Sequence, residues 1–298
     1  MTFFAIDRSE HHSPEIQEHV IYSVDLHPIP TLRRLNVSVI RFEQQGDVGH
    51  IILADAPLNL INNRFCEALK DAIHEASRSE IRALLVRAEG ANFSHGGDVL
   101  DFIDKDFDDW RTFISEMNQS YRAIEALQIP TVAAVRGACF GGAFELALAC
   151  DLIVAADNAV FHHFEASVGS APVAGGVQRL AERAGRAIAA RYTMLSEPMT
   201  GKTAGELGVA AFACPETDVE STAASLVTRL SNGPTRSYAA IRALLKAWAG
   251  GGVHAADSVL LDITMPLHGT EDARKGRTAR VEAIRLGVEP EPVLFTGR

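Results

Sequence analysis

Apolar and polar positions begin to alternate at VSVIRFE (37–43) and again at VGHIILA (48–54), with QQGD between them. Two β-rich runs joined by a glycine-containing turn form the pattern of a hairpin. The period then changes. In NNRFCEALKDAIHEASRS (62–79), Phe65, Leu69, Ala72, Ile73 and Ala76 fall on one face of a helix. IRALLVRA (81–88) is a nearly unbroken apolar run and predicts a buried strand. Over 108–127 the helical stripe returns through Trp110, Phe113, Ile114, Met117, Tyr121 and Ile124, with Asp108 placed to cap it. A strand at TVAAV (131–135), a small-residue segment, and short strands near LIVAA and AVF follow. This alternation argues for a layered α/β core.

After about residue 232 the pattern turns helical, through GPTRSYAAIRALLKAWAG and ADSVLLDITMPL. Residues 1–36 show no sustained period and carry Pro14, Pro28 and Pro30. The expected organisation is an N-terminal extension (1–36), a core (37–232) and an appended helical region (233–298).

Composition narrows the class. Hydrophobic residues make up 47% of the 298 positions and charged residues 22%, the balance of a soluble globular protein. The net charge of −10 disfavours nucleic acid, and no apolar run reaches the roughly 20 residues that span a bilayer. Cys66, Cys139, Cys150 and Cys214 form no CxxC pair and read as buried thiols in a reducing compartment. Acidic residues in MTFFAIDRSEHHSPEIQEHV exclude a secretory or transit signature, so a cytoplasmic enzyme is expected. His11–His12 has no partner cluster, and no metal site is expected.

Four stretches carry possible chemistry: APLNLIN (56–62), ANFSHGGDVLDF (91–102), RGACFGGAFELALACD (136–151) and HHFEASVGSAPVAGGVQRL (162–180). The second has paired glycines after a strand, and the third has small residues opening a helix. Both leave backbone N–H groups unobstructed, as an oxyanion would need. Neither is GxGxxG or a P-loop, and no GxSxG elbow accompanies Ser94, His95 and Asp98. Glu145 is a lone carboxylate among Phe144, Leu146, Ala147, Leu148 and Ala149. Burial without a partner is costly, so it must shift its pKa or find partners; read alone, structural and catalytic roles stay open.

Taken in register, these stretches resemble the crotonase superfamily, the enoyl-CoA hydratase/isomerase family, over roughly 37–298. FSHGGDVLDF is similar to its Phe-x-Ala-Gly-x-Asp segment, GGAFELALACDLIVAADNAVF to its Gly-Gly-Gly-x-Glu-Leu-Ala-x-x-x-Asp block, and FEASVGSAPVAGGVQRL to its Pro-Glu-x-x-x-Gly-x-x-Pro-x-x-Gly-Gly-x-x-x-Leu run. TEDARKG followed by PVLFTGR resembles its C-terminal ending. The resemblance implies a spiral of ββα repeats with a C-terminal helical trimerisation region, as a homotrimer or hexamer. It implies an acyl-CoA thioester as substrate, coenzyme A entering only with it and no separate cofactor.

By the same resemblance, Gly97 and Gly142 would supply an oxyanion hole, aided by the dipole of the helix at Gly142. Glu145 would deprotonate water, and Glu165, twenty residues on, would protonate the α-carbon. His95, Gly96, Asp98, Leu60 and Val173 would contact substrate, and Arg33, Arg34, Arg242 or Lys246 would meet the phosphates of coenzyme A. The chain departs from the family where His95 replaces alanine, Phe164 replaces proline and Val173 replaces glycine. His162 and His163 add imidazoles beside the last of these runs that the resemblance does not explain, and they read as buried, satisfied histidines rather than catalytic ones. Hydration of a 2-enoyl-CoA, or the reverse dehydration, is the leading expectation. The alternatives are isomerisation, thioester hydrolysis or C–C cleavage on the same scaffold, or a non-enzymatic oligomeric binding protein.

Overall fold

A computed structural model describes residues 38–297. The expected hairpin forms: β1 (Ile40–Gln45) pairs antiparallel with β2 (Val48–Leu53). The helix α1 (Asn63–Arg78) is capped by the Asn62 side chain, which accepts from Phe65 N–H, and it buries the stripe that its period required. Next come β3 (Ala83–Ala88), the single turn α2 (Val99–Phe102) and α3 (Phe107–Ala126). The cap of α3 is Asp106 rather than Asp108: its Oδ1 accepts from the N–H groups of Asp108 and Asp109, which places Asp108 inside the first turn.

The chain continues through β4 (Thr131–Val135), β5 (Ala138–Phe140), α4 (Gly142–Leu148), β6 (Leu152–Ala156) and β7 (Val160–His162). A 3-10 turn (Glu165–Val168) precedes α5 (Gly176–Ala184), α6 (Arg186–Met194), β8 (Met199–Thr200), α7 (Gly201–Glu206), β9 (Phe212–Cys214) and α8 (Val219–Ser231). The end of the chain is helical, with α9 (Thr235–Thr264) interrupted at Gly251–Gly252 and followed by α10 (Glu271–Leu286).

Six strands form one sheet in the order β1-β2-β3-β4-β6-β9, parallel beyond the first pair. Strands buried on both faces read as continuous apolar runs, which is why β3 and β4 are visible in the sequence. A second ladder, β5-β7-β8, runs beside it. Isolated bridges extend that ladder: Ile61 pairs with Gly97 and Ser94 with Cys139. Successive turns of the chain thus lay short segments (61, 94–97, 138–140, 160–162) side by side. This is the spiral expected, and β5 is the strand that the glycine-rich sequence concealed.

Two expectations need revision. Cys66, Cys139 and Cys150 are buried, but Cys214 is only half-buried. Arg242 is not free for a phosphate: its guanidinium donates to Asp151 Oδ1 at 2.7 Å and to the carbonyl of Leu127, joining α9 to the end of α3. Arg33 and Arg34 lie outside the described residues, as does the extension 1–36, while Lys246 is exposed on α9.

Candidate active site

The site is assembled where the short ladder ends. Gly141 closes β5 by donating to His162 O at 2.8 Å, and α4 starts at the next residue. Gly141 has φ 50°, a conformation that favours glycine, and a Cβ there would lie 3.3 Å from Glu165 Oε1. The missing side chain therefore makes room for the second carboxylate against the start of α4.

Glu145 occupies the first turn of α4 and is fully buried. Its Oε1 accepts from the N–H groups of Ala174 and Gly176, each at 2.8 Å. Burial pushes its pKa up to about 7; His163 and the two amides pull against that shift, and Glu165 adds to it. Both of the open roles for Glu145 therefore have support: it has structural donors, and it also titrates near neutrality.

Those donors sit on a loop held from behind. Arg179 forks onto Glu125 at 2.6 and 2.9 Å and donates to Ala174 O at 2.6 Å. Asn118 donates to Val173 O at 2.7 Å. Val173 is half-buried against the core, and the amides reaching Glu145 come from the residues after it.

Glu165 opens the 3-10 turn after β7. His163 Nδ1 lies 3.4 Å from its Oε1, and the His163 ring stacks on Phe144 at 4.7 Å. Glu145 Oε2, Glu165 Oε2 and His163 Nε2 are buried with no hydrogen-bond partner among the described residues. Buried polar atoms are normally paired, so three unpaired ones in one place mark a site for a polar ligand.

Gly97 and Gly142 adjoin the same place. Ile61 N–H donates to Gly96 O and Asp98 N–H to Ile61 O, which leaves Gly97 N–H outside that bridge. Gly142 is the first residue of α4, and its N–H has no acceptor within the helix. Neither N–H has a backbone acceptor among the described residues. Ile61 links the two, since a Cβ on Gly142 would lie 3.1 Å from Ile61 Cδ1. Tyr121, fully buried on α3, donates to Gly142 O at 2.8 Å and fixes the tilt of this first turn. With seven residues, α4 offers its first N–H groups more than a long macrodipole.

The remaining expected residues fall around this centre. Gly96 has φ 81° and abuts Phe140 O, where a Cβ would come within 2.6 Å. His95 is half-buried with its ring edge-on to Phe140 at 5.4 Å, and burial lowers its pKa. Asp98 precedes α2 and accepts from Asn62 Nδ2 at 3.3 Å. Leu60 is half-buried before α1, and the buried Asn59 beside it pins the loop, donating to Glu89 O, Asn92 O and Phe93 O. His162 is satisfied as expected, through Ser196 O at 2.8 Å. His163 is buried as expected but only one of its nitrogens has a partner. Sequence reasoning does not single out Tyr121 and Arg179 as site residues, because a helical stripe and a lone arginine carry no chemical signature. Among the described residues no group of three or more His, Cys, Asp or Glu side chains is placed to hold a metal ion.

Comparison with known proteins gives the family and the fold. The family described as Enoyl-CoA hydratase/isomerase matches residues 43–285. A Rhodobacter capsulatus protein named "Probable enoyl-CoA hydratase" is 29% identical, over 89% of this chain and 100% of that protein. A Streptococcus mutans trans-2-decenoyl-[acyl-carrier-protein] isomerase is 30% identical, over 80% of this chain and 90% of its own length. The crystal structure of a Geobacillus kaustophilus enoyl-CoA hydratase superposes with a TM-score of 0.80 at 22% identity, covering 89% of this chain and 98% of that one.

Proposed function

The chain belongs to the enoyl-CoA hydratase/isomerase family, and from that premise we propose that it catalyses reversible hydration of a 2-enoyl-CoA thioester. The observation that carries this reading is the grouping, among the described residues, of two unpaired carboxyl oxygens, on Glu145 and Glu165, beside two backbone N–H groups without backbone acceptors. The N–H groups of Gly97 and Gly142 would receive the thioester oxygen as it gains charge. Glu145, whose carboxyl titrates close to neutral pH, would take the proton of the attacking water. Glu165 would deliver a proton to the α-carbon, and dehydration would reverse both transfers. His95, Gly96, Asp98, Leu60 and Val173 would line the path of the acyl-CoA.

The direct test follows the absorbance of the conjugated thioester in crotonyl-CoA. It should fall on addition of the protein, with the 3-hydroxyacyl product identified by mass. Glu165→Gln should lower kcat by about 10²-fold. Unchanged turnover would remove Glu165 from the chemistry. The similarity to an isomerase carries a second reading, migration of the double bond with Glu165 alone as the proton carrier. A 3-enoyl-CoA converted to its 2-enoyl isomer without uptake of water would favour it.

The proposed assembly is a homotrimer or a pair of trimers. It is supported by the apolar side chains that α9 and α10 leave exposed, among them Leu245, Trp248, Leu261, Ile284 and Leu286. Light scattering should give three or six times the chain mass of 32.1 kDa, and a monomer at working concentration would refute it. The proposed location is the cytoplasm, where four cysteines without disulfides remain thiols. Among the described residues no helix is long and apolar enough to cross a membrane.

A further inference from the structure

Phe102 stands against Gly97, and we propose that its ring sets the length of acyl group that the site accepts, admitting a short 2-enoyl chain and stopping a longer one. This rests on the hydratase reading above, which puts the thioester oxygen on Gly97 N–H. The edge of the Phe102 ring fills the place that a side chain at position 97 would take: a Cβ there would lie 2.6 Å from Phe102 Cε2 and 3.4 Å from Cζ. Val99 and Leu100 of α2 are exposed, whereas Phe102 is half-buried and packs on the core. The ring is also held from behind. Trp110 and Phe113 of α3 lie with their centroids 4.8 Å from it, tilted by 51° and 55°. Lys105 Nζ sits 5.9 Å from the Phe102 centroid and 5.7 Å from that of Phe113. That ammonium is itself tied to Asp101 Oδ2 at 3.5 Å and to Asn63 Oδ1 at 3.3 Å, so it fastens α2 to the start of α1.

A thioester oxygen that accepts from Gly97 N–H at about 2.9 Å brings the acyl carbons beside this ring. Around the other donor the core has already closed the space. A Cβ on Gly142 would lie 3.1 Å from Ile61 Cδ1 and 3.3 Å from Met117 Sδ, and both of those residues are buried. The hydratase reading gives the two glutamates the side of the reacting carbons. An acyl chain that continues past the β-carbon therefore runs into Phe102. Forcing methylenes against a ring packed on both faces is costly, and a single methylene in an apolar pocket changes specificity by roughly 10–200-fold. Among these walls Phe102 is the one at the edge of the core, carried by a single helical turn. Its size can change without opening the interior.

The test measures kcat/KM for crotonyl-CoA and for trans-2-decenoyl-CoA in wild type, Phe102→Leu and Phe102→Ala. Wild type should favour the four-carbon substrate by about 10-fold. Phe102→Ala should abolish or reverse that preference, and Phe102→Leu should fall between the two. Each ratio compares two substrates on one preparation, so a loss of folded protein in a variant cancels. Calorimetry with butyryl-CoA and decanoyl-CoA, which have no double bond to hydrate, gives the same comparison without chemistry, and the ratio of their Kd values should shift toward the longer chain in the same order of variants. A wild type that favours the ten-carbon chain in turnover, or either ratio left unchanged by Phe102→Ala, overturns the proposal. A chain that hydrates neither enoyl-CoA but binds the saturated thioesters with the expected shift counts against the hydratase reading and supports the wall. Binding of neither thioester overturns both.

Discussion

Glu145→Gln is expected to lower kcat for hydration of crotonyl-CoA by on the order of 10³-fold, with KM changed by less than about threefold. The amide can keep the geometry, because its oxygen can accept from Ala174 and Gly176 N–H as Oε1 does. It cannot accept a proton from water. The effect should therefore fall on the chemical step and leave acyl-CoA affinity nearly intact. Full activity in this variant would remove the residue from the mechanism.

The same substitution has a second, independent readout. In the folded protein Glu145 titrates at about 7, against an ordinary value of 4.5. Between those values the unfolded chain has released this proton and the folded chain still holds it. Stability contributed by the protonated, buried group is therefore lost as pH rises from about 4.5 to about 7, and the loss is complete above that. Glutamine has no such titration. Relative to wild type, Glu145→Gln should gain on the order of 3 kcal/mol in unfolding free energy between about pH 4.5 and pH 8. Denaturant titrations at the two pH values measure it; parallel curves for the two proteins would contradict the burial-driven shift. The rate of the wild-type enzyme should rise over the same interval, since only the carboxylate can act as base.

Gly142→Pro should cost about 10²–10³-fold in kcat/KM relative to Gly142→Ala. Both variants add a Cβ, which would come within 3.1 Å of Ile61 Cδ1 and 3.3 Å of Met117 Sδ, so flexible side-chain ends must give by a few tenths of an ångström in each. Only proline also removes the N–H. Position 142 is the first of its helix, where proline is tolerated and no helical hydrogen bond is lost. The difference between the two variants therefore reports the exchange of one N–H donor to the thioester oxygen for the proline ring carbon that takes its place. Stopped-flow measurement with crotonyl-CoA, together with circular dichroism to verify folding, gives the comparison. Equal activity in the two would mean that this N–H does not meet the developing charge.

Much of the architecture is readable from local pattern. The stripe through Phe65, Leu69 and Ile73 has to be buried, and the run IRALLVRA has to be an inner strand, because period and burial are linked through backbone geometry alone. Glu145 stands out for the same reason: its apolar neighbours in the chain are enough to require its burial. β5 escapes such reading because three residues of a glycine-rich segment carry no alternation, and its strand character comes from pairing with β7. The phosphate role suggested for Arg242 fails because charge and position in the chain do not reveal a partner 91 residues away, Asp151.

By itself, the sequence determined the order of strands and helices, the buried face of each, and the presence of a carboxylate that could not stay ordinary. Tertiary structure decided what surrounds that carboxylate. Parallel pairing between segments dozens of residues apart leaves Gly97 and Gly142 N–H without backbone acceptors among the described residues, sets Glu165 against the space above Gly141, and brings His163 Nδ1 within 3.4 Å of Glu165 Oε1. Local periodicity encodes which side of an element faces inward, but it holds no record of which distant side chains meet there.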